Sequence, residues 1–282
     1  MRDAAAVLGM GGYASVAPVI AAWTQRVPTV LHEQNAIPGL ANRLLARLAT
    51  VTALTFESAR SRFPRSLRTE VTGLPLRSEI RDVPARRERL AGEARQTFDL
   101  EAGRTTILVT GGSQGALHVD RTIAEAIPLL AARSDLQLLV LTGKAHEQIV
   151  AAAVNAEMEL IVRTVPFLDR MELALAVADL AVSRAGANTI HELAVCSIPS
   201  ILIPYPHATD DHQEANAREL ERGGAAEVYL DRDVTAEGLA DRILSVAADP
   251  ERRAVMAKAA AAWAKPDADE RVAELVREVG RR

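Results

Sequence analysis

Short apolar runs alternate along the chain with longer stretches of helical period, the pattern of strands and helices in parallel α/β layers. In the first part the strand-like runs are residues 4–8 (AAAVL), 28–32 (PTVLH), 50–56 (TVTALTF) and 69–73 (TEVTG). A second series follows at 105–110 (TTILVT), 136–141 (LQLLVL), 179–183 (DLAVS) and 199–204 (PSILIP), with helices expected near 115–132, 145–157, 188–196 and 211–222. Between the two series, from Pro75 to Arg104, the alternation lapses into a Pro- and Arg-rich stretch, which places an interdomain segment there. Beyond residue 235 the chain reads as successive amphipathic helices.

One unit occurs twice. AAAVLGMGGYASVAPVIAAW and TILVTGGSQGALHVDRTIAEAI are each a strand, a Gly-rich turn and a helix. Two similar α/β domains across a cleft are therefore expected, the second with enough strands for a full sheet. Residues 4–23 carry no charge, but Gly9, Gly11, Gly12 and Pro18 interrupt them and Asp3 precedes them. A strand, turn and helix fit that stretch better than a membrane span or a signal peptide.

Composition adds a class and a compartment. At 282 residues, 49% hydrophobic and 25% charged, the chain is a folded protein of one or two domains. The single cysteine, Cys196, rules out an internal disulfide and fits a reducing compartment. The net charge of −4 hides an asymmetry: residues 1–104 hold 15 Arg and Lys against 10 Asp and Glu, and the remainder 18 against 27. Arg60, Arg62, Arg65 and Arg68 crowd one stretch, and Arg86, Arg87 and Arg89 another. A solvated face or an anionic membrane surface accounts for them; nucleic acid does not, since no aromatic interleaving or known binding motif accompanies them.

Four stretches after strands carry chemistry. TGGSQGA puts Gly111, Gly112, Ser113 and Gly115 between a strand and a helix, where backbone N–H groups and the helix dipole attract phosphate. It is neither a Walker A loop nor a clean GxGxxG, and no acid ends the next strand, so hydride transfer is disfavoured. SRAGANTIHELA carries Glu192 one turn into a helix, placed to accept from a ribose diol, although Thr189 and Glu192 also have capping-box spacing. PYPHATDDHQEANA offers the amides Gln213 and Asn216 at i and i+3 for sugar hydroxyls, with Asp210 a possible N-cap. Its His207, Asp210, Asp211 and His212 match no common metal spacing. HEQNAIPG sets His32, Glu33, Gln34 and Asn35 just beyond a strand. Together these stretches point to a two-domain enzyme for a nucleotide-linked substrate.

The same stretches, in order along essentially the whole chain, resemble the MurG family: GGYAS, HEQNAIPGLANRLLARLA, GLPLR, TGGSQGA, VPFLDRMELALAVADLAVSRAGANTIHELA, IPYPHATDDHQEANA and AKPDA. The resemblance implies a GT-B fold of two Rossmann-like domains. It also implies an inverting transferase at the cytoplasmic face of the bacterial membrane, peripherally bound, moving N-acetylglucosamine (GlcNAc) from UDP-GlcNAc to lipid I to form lipid II. It implies direct displacement at the anomeric carbon, with no cofactor and no obligatory metal. By position, Asn35 would contact the donor sugar, and Arg77 and Ser113 the diphosphate. Leu168 would lie beside the uracil, and Ala187, Asn188, Thr189, Ile190, His191 and Glu192 would hold diphosphate and ribose. Gln213 or His212 would read the sugar, with Gly111, Gly112, Gly115 and Asn216 as further candidates.

The corresponding division is an acceptor and membrane-facing domain at 1–77, an interdomain segment at 78–104, a UDP-GlcNAc domain at 105–262 and a final helix at 263–282 that returns to the first domain. GLPLR places Leu74, Pro75 and Leu76 where the family usually has Asn-Pro-Val. The family's first Gly-rich loop, with its histidine, has no match here. The expectation is an incomplete N-terminal domain, Met1 as an internal start, and doubtful transfer by this chain alone. The alternatives are a catalytically weak UDP-sugar-binding paralogue and another GT-B glycosyltransferase.

Overall fold

The computed structural model describes residues 4–111, 116–208 and 211–281. The chain divides into two compact units. Unit 1 comprises residues 1–76, 207–216 and 265–282, and unit 2 residues 77–206 and 217–264.

Unit 1 holds a four-stranded parallel sheet in sequential order: β1 (Val7–Gly9), β2 (Thr29–Glu33), β3 (Val51–Leu54) and β4 (Thr69–Val71). The β2 and β3 runs are apolar or β-branched at almost every position, as suits strands covered on both faces, and every residue in them is buried. On one face Val19 of α1 (Val16–Thr24) and Leu45 of α2 (Leu40–Leu45) join Leu31, Leu54 and Phe63. On the other, Val272, Leu275 and Val279 of a C-terminal helix, Ala268–Gly280, pack on Val30, Val51 and Ala53. Their spacing of three and four residues forms one helical stripe.

Unit 2 holds six parallel strands: β5 (Thr105–Thr110), β6 (Leu136–Leu141), β7 (Ile161–Val165), β8 (Leu180–Ser183), β9 (Ser200–Leu202) and β10 (Ala226–Val228). Their order is β10-β9-β8-β5-β6-β7, the doubly wound arrangement in which the chain runs outward from β5 in one direction and then from β8 in the other. Ile107, Val109, Leu138, Val140 and Val182 line the core with Ile123 and Ile127 of the helix Leu117–Leu130 and with Leu239 and Ile243 of the helix Ala236–Ala247. Each such side chain contributes roughly 2 kcal/mol on burial.

The stretch that the sequence marks as interdomain is largely helix. α3 (Ser78–Arg81) and α4 (Val83–Phe98) fill it, both within unit 2. Pro84 sits in the first turn of α4, where its missing N–H costs nothing, and Asp99 ends the helix in the left-handed conformation. Val83, Leu90, Ala91, Ala94 and Phe98 form the buried face, which packs against the helix Met171–Val177. The outer face is so rich in arginine and glutamate that it masks this stripe. Arg170 bridges to Glu93, and Arg87 donates to the Ala178 carbonyl at 2.7 Å. Strands β7 and β10 are also absent from the sequence reading.

Candidate functional site

In unit 2 the strand order reverses between β5 and β8, and the two are direct neighbours, with Thr110 opposite Ser183. Each strand is followed by a glycine-bearing stretch and then a helix. Open α/β sheets bind ligands in the crevice at such a switch point, beyond the carboxyl ends of the strands.

After β8, Gly186 is the N-cap of the helix Ala187–Val195, and no side chain caps it. The first-turn N–H groups, which lack partners inside any helix, are therefore not engaged by a capping side chain. Thr189 lies within the helix rather than at its N-cap, so the capping box that its spacing with Glu192 suggested does not form. After β5, Ala116 precedes the helix Leu117–Leu130, again without a side-chain cap; its own N–H lies 3.4 Å from Asp120 Oδ2. Gly111 is half-buried at the strand end, while Gly112, Ser113 and Gly115 lie outside the described residues.

The side chains of the stretch 187–192 differ in exposure. Asn188 is exposed and Thr189 and Glu192 half-buried, whereas Ala187, Ile190 and His191 are buried. The side chains of Ile190 and His191 belong to the core. His191 donates through Nδ1 to the Ala187 carbonyl at 2.8 Å and meets the Trp263 ring at a tilt. Burial pushes the Glu192 carboxyl above the usual carboxylate range, and the charge of Arg77 opposes that shift. Arg77, exposed at the start of α3, is thus brought to Glu192 from 115 residues away in sequence, which local pattern could not reveal. Leu168 is half-buried in the turn after β7, beside Phe167, whose exposed ring lies 5.8 Å from Lys144 Nζ.

Beneath the switch point lies a polar layer that the sequence reading missed. Arg184, buried directly after β8, donates to the carbonyls of Ile203 at 3.1 Å and Pro204 at 3.2 Å and pairs with Asp231. Asp231 also meets His118 Nδ1 at 3.0 Å, and the buried Asp120 meets His146 Nδ1 at 2.8 Å. Burial raises the Asp120 carboxyl, with His146 and Arg184 acting against it.

Unit 1 carries its own polar group after β2. Glu33 is buried, and its carboxylate accepts from the Asn35 N–H at 2.9 Å, the Gly39 N–H at 3.3 Å and Asn42 Nδ2 at 2.7 Å. It holds the loop that presents the half-buried Asn35. Asn216, on the helix His212–Arg222, is fully buried: its Oδ1 accepts from the Ala36 N–H at 2.9 Å, and its Nδ2 donates to Asn35 Oδ1 at 3.1 Å. Asn216 thus holds the Asn35 loop. Gln213 and His212, one turn earlier, are half-buried, and Asp210 lies outside the described residues. His32 is fully buried with Nε2 2.9 Å from the Gly73 carbonyl.

Residues 106–272 match the glycosyltransferase family 28 C-terminal domain, and residues 1–54 the glycosyltransferase family 28 N-terminal domain. The chain is 40% identical over 279 residues to the UDP-N-acetylglucosamine--N-acetylmuramyl-(pentapeptide) pyrophosphoryl-undecaprenol N-acetylglucosamine transferase of Thermodesulfovibrio yellowstonii, covering 98% of this chain and 74% of that protein. It is 39% identical over 275 residues to the protein of the same name in Moorella thermoacetica, covering 96% and 72%. Among solved structures, the crystal structure of Acinetobacter baumannii MurG superposes with a TM-score of 0.79 at 30% identity, covering 97% of this chain and 73% of that one. A UDP-GlcNAc 2-epimerase from Neisseria meningitidis, at 14% identity and a TM-score of 0.70, shares the fold.

Proposed function

The chain belongs to the MurG family of family 28 glycosyltransferases, and from that membership and the site's geometry we propose that it moves GlcNAc from UDP-GlcNAc to lipid I, forming lipid II with inversion at the anomeric carbon. The observation that carries the reading is the uncapped helix after β8, which opens on Gly186 at the switch point with Glu192 one turn in and Arg77 at hand. The first-turn N–H groups and the positive helix end suit a diphosphate, both in the bound donor and as the departing UDP, where they stabilise charge as it develops. Glu192 takes the ribose diol, Leu168 flanks the uracil, and Ser113 and Arg77 complete the diphosphate contacts. Asn35 and Gln213 take the sugar.

We propose further that unit 1 meets an anionic membrane surface. Ile20 and Trp23 on α1 and Leu40 and Leu44 on α2 are exposed, with Arg26 and Arg47 exposed nearby in sequence. Such apolar side chains flanked by arginine suit the headgroup region, and no helix among the described residues is long and apolar enough to cross a membrane.

Titration calorimetry with UDP-GlcNAc, UDP-glucose and GDP-mannose tests the donor assignment. UDP-GlcNAc is expected to bind most tightly, and a chain that binds none of the three overturns it. Flotation with vesicles of anionic against zwitterionic lipid tests the surface.

A further inference from the structure

In the group of unit 1 built around Asn35, one backbone donor fixes the polarity of two side-chain amides. A backbone N–H can only donate, so the Asn216 atom 2.9 Å from the Ala36 nitrogen is its oxygen. Its Nδ2 is then the atom turned to Asn35, and an amide nitrogen can only donate in turn. The Asn35 atom that meets it at 3.1 Å is therefore Oδ1. Glu33 meanwhile engages the backbone N–H of Asn35. The Asn35 backbone donor and side-chain acceptor are thus both held from within the unit, and the Nδ2 group is the end that faces away from Asn216.

We propose that Asn216 is a positioning residue that sets Asn35 as a hydrogen-bond donor, so that this position recognises an acceptor oxygen of the donor sugar, a hydroxyl or the acetamido carbonyl. The inference rests on the reading of Asn35 as a sugar contact and adds the direction of its hydrogen bond and the residue that fixes it. Asn216 is fully buried and acts through Asn35 rather than on the sugar.

The test is Asn216→Asp, which keeps size and the acceptor for Ala36 but replaces the donor by a second acceptor. Asn35 then turns its amide round to donate to the new carboxylate and shows Oδ1 outward. Calorimetry on the 282-residue chain is expected to give about tenfold weaker UDP-GlcNAc binding, with UDP unchanged within about twofold. Asn35→Ala is expected to lose a similar factor, and the double variant no more than the larger single loss, because both remove one contact. Wild-type affinity for UDP-GlcNAc in Asn216→Asp overturns the relay. So do single losses that multiply in the double variant, which would make Asn216 an independent contact, and equal loss of UDP and UDP-GlcNAc, which would make its role structural. A wild-type chain that binds UDP but prefers it to UDP-GlcNAc overturns instead the reading of Asn35 as a sugar contact.

Discussion

His191 and Trp263 make a tilted ring contact in unit 2, with centroids 4.7 Å apart and planes inclined by 52°. The histidine sits inside the stretch expected to hold the nucleotide, yet it faces the core, with Nδ1–H on the Ala187 carbonyl. Its removal should therefore act on the fold. We expect His191→Ala to lower unfolding stability by about 2 kcal/mol, from the lost aromatic contact and the cavity, with UDP affinity at low temperature nearly unchanged. Urea unfolding alongside UDP calorimetry checks this; full stability with abolished UDP binding would contradict it.

Glu192 should behave in the opposite way. Glu192→Gln is expected to weaken UDP binding by about tenfold, because a charge-assisted hydrogen bond to the ribose becomes a neutral one. The 2′-deoxy analogue of UDP should bind wild type and variant nearly alike. Since burial raises this carboxyl, its acceptor form disappears at a higher pH than for an ordinary glutamate, and UDP affinity should fall as pH drops through that raised value. For stability the sign reverses. The native state holds this proton more tightly than the unfolded chain, so the penalty is absent below the unfolded value of 4.5 and grows as pH rises through the native one. Affinity and urea midpoints measured across pH 4 to 8, in roughly unit steps, separate the two trends.

The Arg184–Asp231 pair offers a test of what anchors the switch point. Their side chains are 7% and 13% exposed, so removing one partner leaves a charge largely without water. Asp231→Ala should cost about 3 kcal/mol, whereas Arg184→Met combined with Asp231→Leu should cost less than that single change. Guanidinium unfolding of the variants measures the difference. A pair worth nothing would show equal midpoints throughout.

Several strands were legible because they are buried on both faces, so β5, β6 and β8 and the Thr29–Leu31 part of β2 stand out as mostly apolar or β-branched runs. β7 and β10 were not. Arg163 and Thr164 in β7 and Glu227 in β10 break the runs, and each strand lies at an edge of the sheet, where one flank tolerates polar side chains. The motif stretches do follow strands of the two sheets, but periodicity within a short helix could not separate Glu192 from its inward neighbours Ile190 and His191. The influence of the Arg77 charge on Glu192, the seat of Asn216 on Asn35, and the polar layer of Arg184, Asp231, Asp120 and His146 come from tertiary packing. No local pattern encodes them.

His32 supplies a last prediction, about acid sensitivity. Its ring is fully buried; Nε2 donates to the Gly73 carbonyl, and Nδ1 is buried without a hydrogen-bond partner among the described residues. Burial lowers its pKa below the ordinary value of 6.5, with the Gly73 contact opposing the shift. The unfolded chain therefore binds this proton more readily than the native one. The stability this group contributes is complete above the unfolded value and drains away as pH falls below it toward the native value. Between about pH 7.5 and 5.5 the urea midpoint of the wild type should fall, and His32→Gln, though less stable at neutral pH, should fall less. Gly73 itself has φ +85°, and a Cβ there would stand 2.7 Å from Lys265 Cβ and 3.1 Å from Ala268 Cβ, within the same unit. Gly73→Ala is accordingly expected to cost about 2 to 3 kcal/mol, from backbone strain and the displaced Lys265, at every pH. If its deficit instead vanished at low pH, Gly73 would matter only through the His32 contact, and the steric account would be wrong.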